Sequence, residues 1–304
     1  MTNDVTYPDW IAVDWGTSNL RVWAMTDAGE VLAENGSDQG MSGLEPDEFE
    51  VTLLSHIALW LNDTPTPVVA CGMVGSRQGW AEAPYRAVPC APLGAAQAVP
   101  CRDARISLHI VPGLKQERSA DVMRGEETQI AGFLVDQPDF DGILCLPGTH
   151  TKWAHISAGE VVSFQTFMTG ELFDLLSRES VLRHSIGDGG GLDQEAFQGA
   201  IADTISRPEA VATQLFKIRA VDLLHGADPA VSRARLSGIL LGLELAAARP
   251  YWLGQPVALV GLPAVNVLYA KAMAAQGFEP AQHDAKKATL NGLTAAYKAF
   301  IAQV

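Results

Sequence analysis

Positive charge is scarce in this 304-residue chain: 21 lysines and arginines face 35 aspartates and glutamates, a formal net charge of −14 with neutral histidines. A field of that sign repels polyanions and acidic bilayers, so no nucleic acid and no membrane surface is expected as a partner. Cysteine is scarce too. Cys71, Cys90, Cys101 and Cys145 form no C-x-x-C pair and are too few to staple a fold of this size. Free, buried thiols in a reducing compartment are the expectation. Long apolar runs are missing. None reaches the roughly 18 residues that a membrane span requires, and the most apolar stretch, Ile239–Ala248, carries Glu244 inside it. The opening Met1-Thr2-Asn3-Asp4 has neither the basic nor the apolar part of a secretory signal, so the expected location is cytoplasmic. Metal-type histidine spacing is absent as well: His150 and His155 are an odd number of residues apart and face opposite sides of a continuous strand. The run Gly187-Asp188-Gly189-Gly190-Gly191 follows no strand, which argues against a dinucleotide fingerprint and for a flexible loop suited to a lid.

What is present is a chain 48% apolar, long enough for two sizeable cores and too apolar for disorder. Its organisation is a repeat. Trp10-Ile11-Ala12-Val13 reads as a buried strand, Asp14 to Asn19 as a tight turn, Leu20 to Met25 as an alternating strand, and Glu30 to Ala33 as a third. A helix over Pro46–Leu61 follows, with Phe49, Leu53, Ile57 and Trp60 at helical spacing. The same order returns from Gly142: Ile143 to Leu146, the turn Pro147 to Thr151, Lys152 to Ile156, Glu160 to Phe164, and a helix beginning near Gly170. Gly16-Thr17 matches Gly148-Thr149, and Ala28-Gly29-Glu30-Val31 matches Ala158-Gly159-Glu160-Val161. Shared order of this kind indicates a duplication.

Two α/β lobes that each open with a Gly-Thr turn can aim backbone N–H groups from both turns at one polyanion. Glycine lets the backbone approach, and the neighbouring hydroxyl adds a donor. An acidic chain can bind phosphate this way without many basic residues.

These residues carry a resemblance. Asp14-Trp15-Gly16-Thr17-Ser18 before a hairpin resembles the first phosphate loop of the actin, Hsp70 and sugar-kinase superfamily, and Leu146-Pro147-Gly148-Thr149-His150-Thr151-Lys152-Trp153 occupies the place of the second. Arg124-Gly125-Glu126-Glu127-Thr128, followed by Ile130, Phe133 and Leu134, resembles the glutamate-bearing linking helix of Hsp70-like and exopolyphosphatase-like members. The similarity is closer to the 2-dehydro-3-deoxygalactonokinases, through Cys71 to Trp80, Ala83-Pro84-Tyr85, Pro147 to Trp153, and Phe167 to Glu171. Two departures stand out. Leu146 and Pro147 replace an acid common in the second loop, and Gly261-Leu262-Pro263 stands where an adenosine-binding Gly-Gly is usual.

The resemblance implies an α/β, two-lobe actin-like ATPase fold of ribonuclease H type with duplicated phosphate-binding hairpins. It implies phosphate contacts from Gly16, Thr17, Ser18 and Asn19 and from Gly148, Thr149, His150 and Thr151, and adenosine contacts near Gly261, Leu262 and Pro263. Asp14 would hold Mg²⁺ mostly through water, with ATP as co-substrate. Glu126 and Glu127 flank an apolar stripe, so periodicity leaves open which faces the cleft; alignment with the Glu-Pro-Thr of Hsp70-like proteins favours Glu126 as the group that accepts or positions the acceptor hydroxyl. A guanidinium forks onto a carboxylate, which makes Arg77 the first candidate for an anionic acceptor, ahead of Arg21 and Arg86. Ser76 belongs to the same stretch, and Trp80 and Tyr85 would wall the sugar-acid chain.

The implied activity is phosphorylation of 2-dehydro-3-deoxy-D-galactonate at its 6-hydroxyl, with a sugar acid and ATP as small-molecule partners and a homo-oligomer left open. The alternatives are an exopolyphosphatase-like phosphohydrolase and an Hsp70-like nucleotide-gated binding protein. Domains are expected over 1–120 and 121–304, with the last helix, about 287–302, crossing back to the first lobe through Leu290, Leu293, Tyr297 and Ile301.

Overall fold

The computed structural model describes residues 7–187 and 191–300. The Asp188-to-Gly190 part of the glycine run, the N-terminal residues through Thr6, and Ile301 lie outside them. By its internal contacts the chain divides into two compact units.

The first unit opens with β1 (Trp10–Trp15), β2 (Leu20–Met25) and β3 (Val31–Ser37), then α1 (Phe49–Ile57) and β4 (Thr66–Gly72). β5 (Arg86–Ala87), β6 (Gln97–Val99), β7 (Ile106–Ile110), β8 (Leu114–Gln116), β9 (Asp121–Met123) and α2 (Glu126–Asp136) follow. Its main sheet runs β3-β2-β1-β4-β7-β6. β1 pairs antiparallel with β2, in a register that sets Asp14 opposite Arg21, and parallel with β4, which sets Asp14 opposite Cys71. Both faces of this sheet are covered, as the near-continuous burial of β1 and β4 requires. One core gathers Ile11, Val13, Trp15, Phe49, Leu53 and Ile57, and the other gathers Trp10, Trp23, Leu293 and Tyr297. The helix stripe read from Phe49, Leu53 and Ile57 is the face that packs.

The second unit carries β10 (Gly142–Leu146), β11 (Thr151–Ser157) and β12 (Glu160–Phe167). It continues with α3 (Thr169–Arg178), α4 (Arg183–Ile186), α5 (Gln194–Ser206), α6 (Val211–His225), α7 (Pro229–Ala247) and α8 (Arg249–Trp252). β13 (Val257–Gly261), α9 (Pro263–Ala274) and β14 (Ala281–Asp284) follow, and α10 (Ala285–Phe300) is the last element. The sheet order β12-β11-β10-β13-β14 repeats that of the first unit: an antiparallel meander followed by parallel strands. The duplicated hairpins are therefore visible in the topology as well as in the sequence.

The division falls after Asp141 rather than near 120, and Ile156–Ser163 and the residues from Ala285 onward group with the first unit. The Cys90–Val161 bridge ties in Ile156–Ser163, and a helix pair ties in the C-terminal part. α2 and α10 cross so closely that a Cβ on Gly132 would lie 1.8 Å from the Ala288 carbonyl oxygen, and one on Gly292 would lie 1.9 Å from that of Thr128. α10 also reaches β1, where Tyr297 stacks on Trp10 with ring centroids 4.6 Å apart. An exposed helical Gly→Ala change stabilises by roughly 1 kcal/mol. Gly292→Ala is expected to do the reverse, lowering the melting temperature by about 2–5 °C as backbone is pushed from backbone; a raised melting temperature would refute the tight crossing.

Two of the four free cysteines, Cys71 and Cys145, are buried in strands, whereas Cys90 and Cys101, outside any strand or helix, are only partly so. Among the described residues no helix is long and apolar enough to cross a membrane.

Candidate active site

In the first unit the β1–β2 turn closes through the Gly16 N–H donating to the Asn19 carbonyl at 2.9 Å, and Thr17, Ser18 and Asn19 are exposed. Behind the turn lies Gly40, whose Cβ would come within 2.2 Å of the Thr17 carbonyl oxygen. The Met41 and Ser42 N–H groups donate to the Gly16 and Thr17 carbonyls at 3.0 Å each. That support is invisible locally, since Gly40 sits in an unpatterned loop.

Asp14, one residue short of the end of β1, has 15% of its side chain exposed and lies 3.4 Å from the Arg21 guanidinium and 3.9 Å from the Cys71 thiol, which donates to Oδ1. Burial raises its pKa, and Arg21 pulls against that shift. Gly72, at φ +91°, lets β4 turn away beside it; a Cβ there would strike the Trp15 carbonyl oxygen at 2.6 Å.

Of the two glutamates opening α2, the structure turns Glu127 inward. It is fully buried, accepting from the Gly125 N–H at 2.7 Å and from the Thr128 hydroxyl at 3.0 Å. Its charge and that of Asp14 both act on Cys71, whose thiol is pushed well up by burial. Glu126 is only partly buried and accepts the Arg124 N–H at 3.0 Å. Glu127 is thus the enclosed member of the pair, where the sequence favoured Glu126 as the cleft carboxylate, and the α2–α10 contact fixes the rotation of the helix. Burial first, and the neighbouring Glu126 second, raise the Glu127 pKa to about 8.

The segment after β4 folds as a tight loop, with Ser76 donating its N–H to Met73 at 2.9 Å and Ala83 its N–H to Gly75 at 3.0 Å. Arg77 points out of it, 80% exposed and 3.7 Å from Glu82. Trp80 belongs to the core rather than to a sugar wall, stacking on Phe49 at 6.4 Å and meeting Trp15 edge-on. Tyr85 lies under the buried guanidinium of Arg124, 4.2 Å from its ring centroid. Arg86 is spent on the Ala91 carbonyl at 2.9 Å.

In the second unit the β10–β11 turn exposes Gly148, Thr149 and His150. The first turn of α3 holds it: the Glu171 N–H donates to the Thr149 carbonyl at 3.0 Å, the Glu171 carboxylate meets His150 Nε2 at 2.7 Å, and a Cβ on Gly170 would sit 2.4 Å from the Gly148 carbonyl oxygen. Thr151 does not belong to the exposed turn. As the first residue of β11 it is fully buried, its hydroxyl 2.7 Å from that of Tyr269, in a strand whose first four residues are all covered.

Beside this turn opens a cavity of about 480 Å³, lined by Gly148, Thr149, Phe173, Arg233, Ser237 and Leu268 among others. Arg233 lies over the Phe173 ring at 4.9 Å. Gly261, Leu262 and Pro263 do not line it. They are the exit from β13 into α9, and the Asn266 side chain ties that corner down by donating to the Gly261 and His283 carbonyls. The α9 contribution comes one turn later, from Val265, Leu268 and Tyr269.

Under the cavity sits a residue that the sequence hid in its most apolar run. Glu244 accepts from the Trp153 indole N–H at 2.8 Å, from the Tyr269 hydroxyl at 2.9 Å and from the Thr169 hydroxyl. Burial raises its pKa from 4.5 to about 7. The folded state then binds more protons than the unfolded chain between those values, so this group makes stability fall as pH rises from about 4.5 to about 7, by roughly 3 kcal/mol. In Glu244→Gln that contribution is expected to vanish, and urea denaturation at pH 5 and pH 8 should show a smaller difference than in the wild type; equal differences would refute it.

Comparison with known proteins decides what this arrangement belongs to. The family model described as 2-keto-3-deoxy-galactonokinase matches residues 14–296. The chain belongs to that family. A probable 2-dehydro-3-deoxygalactonokinase of Rhizobium meliloti (strain 1021) is 40% identical over 296 residues, covering 95% of this chain and 96% of the relative. The 2-dehydro-3-deoxygalactonokinase of Escherichia coli (strain K12) is 34% identical over 276 residues, covering 88% and 90%. The crystal structure of a candidate 2-dehydro-3-deoxygalactonokinase from Sinorhizobium meliloti superposes with a TM-score of 0.88 at 40% identity, over 95% of this chain and 98% of that one. The activator of 2-hydroxyisocaproyl-CoA dehydratase from Clostridium difficile, 13% identical with a TM-score of 0.52 over 95% and 94%, shares the fold alone. This galactonokinase-family chain is a kinase with an α/β fold.

Proposed function

We propose that this kinase transfers the γ-phosphoryl group of ATP to the 6-hydroxyl of 2-dehydro-3-deoxy-D-galactonate in the cytoplasm. The observation that carries the reading is the family match over residues 14–296. The exposed Gly-Thr turns support it, since each offers N–H and hydroxyl donors to phosphate oxygens without needing lysine or arginine.

Mg²⁺ fits the donors present. Asp14 offers one hard carboxylate near the exposed hydroxyls of Thr17 and Ser18, and no group of three His, Cys, Asp or Glu able to hold a metal occurs among the described residues. A single carboxylate suits an ion that keeps most of its waters and takes its other ligands from phosphate. When bound, the ion would neutralise charge on the phosphate oxygens.

The chain's own groups do the rest. Asp14 would orient the ion's water shell, and the Gly16 turn of the first unit and the Gly148 turn of the second each offer donors to phosphate oxygens. Glu127 accepts the proton of the acceptor hydroxyl, its burial making it a stronger base than an ordinary glutamate. The cavity beside Gly148 takes the nucleoside, with Arg233 and Phe173 as the stacked pair that a purine ring would meet.

A coupled assay of ADP release against a panel of sugar acids tests the reading. Turnover is expected to need the acceptor and to be fastest with 2-dehydro-3-deoxy-D-galactonate. Phosphate release at the same rate without any acceptor would return the phosphohydrolase reading.

A further inference from the structure

Two buried polar atoms in the first unit have no hydrogen-bond partner, and they come from the same loop packing: Ser76 Oγ and Arg124 Nη1. Arg124 is 8% exposed and Ser76 is 5% exposed. The rest of the guanidinium is fixed. Nη2 donates to the Ala83 carbonyl at 2.7 Å, Nε reaches the Tyr85 hydroxyl at 3.4 Å, and the plane rests on the Tyr85 ring. Gly75, next to Ser76, packs so near that its Cβ would lie 2.8 Å from Nη1.

A buried guanidinium with one idle N–H is costly to leave unpaired. The hydrogen bonds that the Arg124 guanidinium makes go to a carbonyl and a phenol, both neutral. An acceptor brought by a ligand would satisfy the idle N–H. Nη1 can only donate, and the Ser76 hydroxyl can donate as well as accept, so a ligand with two acceptor oxygens, such as the carboxylate and neighbouring carbonyl of a 2-oxo acid, satisfies both. The position agrees with a sugar acid. The turn Met73–Gly75 joins Gly72, beside Asp14, to Gly75, beside Nη1. Three residues of 3₁₀ helix span about 6 Å, comparable to the reach of a six-carbon chain from its acid head to its terminal hydroxyl.

We infer that Arg124 and Ser76 form the subsite for the 2-oxo acid head of the acceptor, and that Arg77 does not. This rests on the sugar-acid kinase reading above. Tyr85 holds the guanidinium flat, the Ala83 carbonyl fixes its rotation, Nη1 donates to the carboxylate and the Ser76 hydroxyl donates to the 2-oxo oxygen.

The test compares wild type, Ser76→Ala, Arg124→Lys and Arg77→Ala on two acceptors: the 2-oxo sugar acid and its analogue with the carboxylate reduced to an alcohol. Arg124→Lys is expected to raise KM for the acid roughly 10- to 100-fold, to leave KM for ATP unchanged, and to lose little on the neutral analogue. Ser76→Ala should raise KM for both acceptors, since both keep the 2-oxo oxygen, without lowering the melting temperature, because it deletes a hydroxyl that nothing satisfies. Arg77→Ala should behave as wild type on both. Equal penalties on both acceptors for Arg124→Lys, or an unchanged acid KM in Ser76→Ala, would overturn the subsite. If Arg124→Lys does not fold, Ser76→Ala decides alone. Failure of the wild type to phosphorylate any sugar acid would instead bring down the galactonokinase reading, a result readily told apart from the others.

Discussion

Glu127→Gln is expected to lower kcat by roughly 10²–10⁴-fold, the span that a positioned general base contributes, whereas Glu126→Gln should cost less than about tenfold. Adjacent helix residues point about 100° apart, and α2 spends its inward direction on Glu127. The amide keeps the shape and one acceptor oxygen, so the Gly125 and Thr128 contacts can survive while the proton-accepting function is lost. A base must be unprotonated to act. With a pKa near 8 the wild-type rate should therefore climb as pH rises through about 8 and then level off. The same limb should be missing from Glu127→Gln. Wild-type kcat in Glu127→Gln, or an unchanged pH limb, would show that this carboxylate only caps the helix.

The second large effect is at Asp14. Asn keeps the volume and removes the charge, so the β1 end stays packed while the phosphate-bound cation loses its anchor. A loss of roughly 10²–10³ in kcat is expected, equivalent to a few kcal/mol of transition-state stabilisation, together with a higher Mg²⁺ requirement. Stability should hold or rise slightly, because burial already penalises the charged form of Asp14. Near-normal Mg-dependent turnover by a folded Asp14→Asn protein would remove Asp14 from the mechanism.

How much of this could be read in advance differs from residue to residue. The place of Asp14 was legible: it lies near the end of an apolar strand, ahead of Gly-Thr, and that turn has its counterpart at Gly148-Thr149. Arg124 was not. Arg77 sits in the more conspicuous glycine-rich stretch, yet its guanidinium is 80% exposed, while Arg124 is buried only because Gly75, Ala83 and Tyr85 fold back over it. Trp80 misled for a similar reason, since an aromatic beside glycines looks the same whether it lines a site or fills the Trp15–Phe49 core.

By itself the sequence determined the strands, the two Gly-Thr turns, the duplicated order and hence the two-part α/β architecture, because alternation, turn chemistry and helical spacing are local constraints on the backbone. Only the tertiary structure decided which side chains face inward at the site. The rotation of α2, and with it the choice of Glu127 over Glu126, is set by the approach of Gly132 to Ala288 and of Gly292 to Thr128 across some 160 residues of chain. Glu244 is placed by donors from β11, α3 and α9, and no stretch of sequence contains its partners. The physical reason is the same in each case: periodicity gives the existence of a buried face, but which residue lies at its centre depends on the shape of a surface contributed by distant segments.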